Sequence, residues 1–163
     1  MKALIIYDST FGNTEHIAQA IAQKLREHGS VQLVTVEEAG RLELKETQLL
    51  LLGCPTQRYD LTPAVGAFLE NIPRGTLQGV MAATFDTRYR MSSWLSGSAA
   101  WDIARHLQEA GATLILPPES FFVAEREGPL EEGELERAAR WALEVYGLLG
   151  PLTNITTLSP CEK

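Results

Sequence analysis

Ile5-Ile6-Tyr7-Asp8-Ser9-Thr10-Phe11-Gly12-Asn13-Thr14-Glu15 is the stretch on which the reading of this chain turns. The apolar run Ala3 to Tyr7 has the length and continuity of a strand buried on both faces. It ends in a short loop rich in hydroxyls, and an apolar stripe of helical spacing (Ile17, Ala20, Ile21, Leu25) begins at once. The head of such a helix carries backbone N–H groups with no intrahelical acceptor and the positive end of the helix dipole. Ser9, Thr10 and Thr14 add hydroxyls, Gly12 permits a tight path, and Asn13 is of a type that caps helices. These residues together make a seat for a phosphate. The loop has no lysine or arginine, so it is not a Walker loop, and it lacks the three-glycine spacing of a dinucleotide fingerprint.

The rest of the chain alternates strand and helix. Val31–Val36, Gln48–Gly53 and Gly79–Phe85 read as strands, the second nearly all leucine. Thr113–Leu116 and Phe121–Ala124 read as one strand interrupted by Pro117-Pro118. Helices are expected over Ala64–Asn71, Gly97–Ala110 and Glu132–Leu149, with the first helix closing at His28-Gly29. Trp101 is expected in the core, and the acidic run Glu125 to Glu136 as a solvated helix start. For the apolar face along Trp141 to Leu149, packing on the sheet is the commoner use and a dimer contact the other. Such alternation selects an α/β domain with a parallel sheet, here over residues 1–149, followed by a tail at 150–163.

The 163 residues suffice for one domain with its own core. A net charge of −7 argues against nucleic acid and anionic membranes as partners, since both call for a basic footprint. It suits a basic protein partner, and equally plain solubility. No apolar run approaches the roughly 20 residues of a membrane span, so a cytoplasmic protein is expected. Cys54 and Cys161 form neither a disulfide framework nor a metal set, and Cys54 reads as a small buried residue. His16, His28 and His106 lack companions at ligand spacing, so no metal site is expected. No hydrolase elbow surrounds Ser92, Ser93 or Ser98, and no residue is assigned as catalytic.

The opening strand followed by Ser9-Thr10-Phe11-Gly12-Asn13-Thr14 resembles the flavodoxin signature. The resemblance implies a three-layer sandwich around a five-stranded parallel sheet of order 2-1-3-4-5, with FMN at the carboxyl ends of the strands. It implies that hydroxyls and amides of Ser9, Thr10, Gly12, Asn13 and Thr14 wrap the FMN phosphate without a cation. Phe11 departs from the pattern, where a threonine is usual. Gly53-Cys54-Pro55-Thr56-Gln57-Arg58-Tyr59 is similar to the family segment that meets the inner face of the flavin ring. Gln57 stands where that segment has tryptophan, and no glycine follows it to ease a peptide flip. Tyr59 is the substitute stacking face. Phe85-Asp86-Thr87-Arg88-Tyr89 and Trp94 correspond to the loop over the outer face, with Trp94 open between stacking on the ring and packing on the next helix. Arg58, Arg88 and Arg90 either face the ring or are solvated or paired with Asp60 and Asp86.

The resemblance implies an FMN-binding redox protein serving a redox partner protein or NAD(P)H, as electron carrier or reductase. A binding or regulatory module of the same fold without redox turnover is the alternative.

Overall fold

The computed structural model describes residues 1–150; positions 151–163, with Cys161 and nearly all of the expected tail, lie outside the described residues. Strand β1 (Lys2–Tyr7) is followed by helix α1 (Asn13–Arg26), β2 (Ser30–Thr35), the single turn α2 (Val36–Ala39) and a 3₁₀ turn at Leu44–Glu46. Then come β3 (Leu49–Pro55), α3 (Pro63–Glu70), β4 (Met81–Tyr89), the short α4 (Ser93–Ser96) and α5 (Ala99–Glu109). Strands β5 (Thr113–Leu114) and β6 (Glu119–Val123) and helix α6 (Glu134–Gly147) complete the order.

The sheet is parallel and runs β2-β1-β3-β4-β5, with β6 also on β4. β5 pairs with Met81 and Ala82, and β6 with Phe85 to Tyr89. The two segments therefore serve as one edge strand, broken at Pro117-Pro118, where proline has no N–H to give the ladder. Between β2 and β3 only α2 and the 3₁₀ turn intervene, so that connection holds no full-length helix.

The two-residue period of the strands divides the core. Leu4, Ile6, Leu50, Leu52 and Ala82 face one side, where Val65 and Leu69 of α3 and Ile103 and Leu107 of α5 cover them. Ile5, Leu49, Leu51, Ala83 and Phe85 face the other, under Ile17, Ile21 and Leu25 of α1 and Trp141 and Val145 of α6. This gives three layers. Phe85, Phe121 and Trp141 meet edge to face with centroids 6.0–6.3 Å apart, so the apolar face of α6 packs on the sheet.

Two expectations fail here. Trp101 is 59% exposed, because the buried stripe of α5 runs through Ala100, Ile103, Ala104 and Leu107 and leaves position 101 outside. Glu134 is buried instead of solvated. Its carboxylate accepts the Phe122 N–H at 2.7 Å and pairs with Arg137, which lies over the Phe121 ring and also bonds Glu119 and the Ser120 carbonyl. Burial by itself would raise the Glu134 carboxyl, but Arg137 and the Phe122 amide together hold it below its ordinary value. No helix among the described residues is long and apolar enough to cross a membrane.

Candidate functional site

The loops that follow β1, β3, β4 and β6 surround a cavity of about 930 Å³ at the carboxyl end of the sheet. Its floor and walls come from four separate segments, because parallel strands deliver all four loops to one edge.

On the β1 side, Gly12 stands at the cap of α1 with φ +89°, a left-handed conformation that suits glycine. Asn13 is the first helical residue and not the cap as expected; its Nδ2 donates to the Glu127 carbonyl at 3.2 Å. The capping oxygen belongs to Ser9, whose Oγ accepts from Gly12 N at 3.0 Å and Glu15 N at 3.3 Å. The amides of Thr10, Phe11, Asn13 and Thr14 have no acceptor among the described residues. Four open donors thus stand in one loop, at the head of a 14-residue helix and beside a cavity, an arrangement that can accept an anion. The Thr14 hydroxyl is buried against that of Thr87 at 2.7 Å, joining α1 to β4.

The β3 loop turns sharply. Gln57 and Asp60 exchange two backbone hydrogen bonds of 2.8 Å, and Arg58 and Tyr59 between them both have positive φ, 47° and 74°. That is the φ signature of a type I′ turn, which glycine or asparagine normally fills. Each such residue costs on the order of 1 kcal/mol in local strain. Gln57 Nε2 donates to Thr10 Oγ1 at 2.8 Å, so this loop is latched to the loop between β1 and α1.

On β4, the pleat sends Thr84, Asp86 and Arg88 toward the head of α5. The Asp86 carboxylate is fully buried and accepts from Ser98 Oγ (2.6 Å), Ala100 N (3.1 Å) and Thr56 Oγ1 (3.1 Å). Its other oxygen has no hydrogen-bond partner among the described residues and lies 3.8 Å from Arg88 Nε. Arg88 in turn donates to Ser120 Oγ, the Met91 carbonyl and Ser96 Oγ, holding the β4–α5 loop in place.

Of the residues expected at the site, Ser9, Thr10, Phe11, Asn13, Thr14, Pro55, Thr56, Gln57, Arg58, Thr87, Arg88 and Tyr89 line the cavity. Gly12 shapes the loop. Phe85, Asp86, Tyr59 and Trp94 do not line it, each for a physical reason. Phe85 is fully buried in the core, and Asp86 is consumed by the head of α5. Tyr59 sits on a neighbouring cleft, at 68% exposure, and Trp94 projects outward at 88%. Arg88 is paired with Asp86, and Arg90 with Glu131 while stacked on Phe122 at 4.2 Å. Arg58 makes no ion pair with a described residue. The lining also includes residues not expected from the sequence: Asp60, Leu61 and Pro63 beyond the β3 turn, and Ser96, Val123 and Arg126. Ser96 lies further along the same β4 loop as Trp94, whereas Val123 and Arg126 lie outside the three loops that the motif indicated and are brought there by the β6 pairing on β4. Burial pushes the Cys54 thiol up to about 12, so it stays neutral near pH 7. Among the described residues no cluster of metal-ligating side chains exists.

Comparison with known proteins gives a consistent picture. The family model described as Flavodoxin matches residues 5–141. A flavodoxin of Clostridium saccharobutylicum is 25% identical over 113 residues, covering 68% of this chain and 70% of that protein. An uncharacterized protein of Methanocaldococcus jannaschii is 37% identical over 73 residues; the match takes in 42% of this chain and only 19% of that longer protein. The crystal structure of oxidised flavodoxin 2 from Bacillus cereus superposes with a TM-score of 0.77 at 25% identity, covering 90% of this chain and 99% of that one.

Proposed function

The chain belongs to the flavodoxin family, and on that premise we propose that it is an FMN-binding redox protein, exchanging electrons with a partner protein or with NAD(P)H through the flavin. The observation that carries the reading is the set of open amides on Thr10, Phe11, Asn13 and Thr14 beside the cavity. A phosphate monoester near neutral pH carries close to two negative charges and three strong acceptor oxygens, which match such donors and the dipole behind them. The residues present therefore fit the group.

In this reading the head of α1 anchors the phosphate. Pro55 to Arg58 and Thr87 to Tyr89 flank the ring from opposite loops, and the Gln57–Thr10 bond keeps the ring side and the phosphate side in register. Tyr89, half exposed at the cavity, offers an aromatic face. Bound flavin supplies the electron-transfer chemistry; the protein supplies anchoring, stacking and local charge. The family supports a flavin cofactor and an electron-transfer role, and FMN is the member with a terminal phosphate for this seat.

The second reading, a binding module without redox turnover, is favoured by the Arg58–Tyr59 turn, where two non-glycine residues already hold positive φ. Titration of the apoprotein with FMN, followed by quenching of flavin fluorescence, tests the first reading. We expect saturable uptake at micromolar concentration or below, with a reversible redox couple for the bound flavin. No uptake sinks it, and uptake without a reversible couple leaves the module.

A further inference from the structure

We propose that Arg126 is a cation this chain supplies to the flavin phosphate, a contact that the phosphate loop itself does not provide. The inference rests on the FMN reading above and adds a residue outside the signature. Arg126 lies on the loop between β6 and α6. That loop is a closed turn: Gly128 N donates to the Glu125 carbonyl at 3.0 Å, and Ala124 N to the Pro129 carbonyl at 2.9 Å. A bridge between Val123 and Leu130 shuts its base. Arg126 is thereby held at the tip.

The turn is pressed onto the head of α1. Asn13 Nδ2 donates to the Glu127 carbonyl, one residue beyond Arg126. Gly128 has φ +107°, and a Cβ there would come within 2.6 Å of Asn13 Oδ1, so the approach needs a glycine. Arg126 lines the same cavity as Ser9, Thr10, Asn13 and Thr14, whose loop carries the open amides.

Its charge is also unspent. Arg88, Arg90, Arg105 and Arg137 each pair with a carboxylate, whereas Arg126 makes no ion pair with a described residue although Glu125 and Glu127 flank it in sequence. A guanidinium suits a phosphate because two parallel N–H groups match two oxygens. The site is thus built to prefer a phosphorylated flavin over the same ring without phosphate.

The test compares FMN with riboflavin. Dissociation constants of both are measured by fluorescence quenching at low ionic strength for the wild-type chain, Arg126→Gln, Arg126→Lys and a control, Arg74→Gln, at the opposite end of the sheet. We expect Arg126→Gln to weaken FMN about tenfold and leave riboflavin unchanged, since a hydrogen-bonded charge pair is worth roughly that factor. Arg126→Lys recovers part of the loss, and Arg74→Gln changes nothing. Where riboflavin binds too weakly to measure, the dependence of FMN affinity on salt decides, and it must flatten in Arg126→Gln. Equal effects on both flavins, or an unaltered FMN constant and salt slope, overturn the proposal while the FMN reading stands. A wild-type chain that takes up neither flavin overturns both.

Discussion

Gly53 lies opposite Phe85 in the β3–β4 register, and a Cβ built on it would come within 2.3 Å of that ring. Gly53→Ala forces Phe85 out of its packing with Phe121 and Trp141 and is expected to cost about 3 kcal/mol, read as a lower urea midpoint at unchanged slope. A fall of under half that size would mean the ring has room to move. Arg58 carries the second unpaired charge at the cavity. A cation there favours the reduced, more negative flavin, so Arg58→Gln is expected to lower the potential of bound FMN by on the order of tens of millivolts, with the shift shrinking in salt. An unchanged potential places Arg58 away from the ring. At the first loop the sequence foretold a strand, a hydroxyl-rich turn and a helix head beside the cavity, because the three are contiguous there. The role of Asp86 was not foretold: its neighbours suggested a ring contact, while its carboxylate serves the amides of α5, a long-range pairing that local sequence does not express.

Among the elements, period and punctuation carried the reading far. The leucines of β3 announce a strand covered on both faces, and Pro117-Pro118 announces the break between β5 and β6. α2 escaped because its cap, the Thr35 hydroxyl on Glu38 N with the Glu38 carboxylate returning to Thr35 N, stabilises only one turn. Trp101 could have been excluded from the core by counting, since positions 100, 103, 104 and 107 already define the buried stripe. The opening turn of α6 holds a testable pair. The Glu134 carboxyl is depressed in the folded chain, so its contribution is complete above the ordinary glutamate value near 4.3 and is lost as pH falls below it. Glu134→Gln should therefore be less stable than the parent by roughly 2 kcal/mol at pH 7, a gap that narrows steadily on acidification below about pH 4. Urea unfolding at the two pH values measures it, and a gap independent of pH would assign the loss to packing.

For the molecule as a whole, the sheet places four loops at one edge, with the amino end of α1 at the space between them, and the proposed FMN seat rests on that frame. The strand order and the family followed from the sequence. The fourth wall did not: the broken edge strand was readable, but nothing in the motif ties the loop after β6, with Val123 and Arg126, to the cavity. Uptake of FMN should protect the folded chain in proportion to its affinity, about 2.7 kcal/mol at a hundredfold excess over Kd. The most direct measurement is an amide ¹H–¹⁵N spectrum recorded as FMN is added. The signals of Thr10, Phe11, Asn13 and Thr14 should move together to positions typical of strong hydrogen bonds, with those of Gly12 and Glu15, already bonded to Ser9, moving less. Saturation of the protein with FMN while those four signals stay where they were would contradict the seat described for the phosphate.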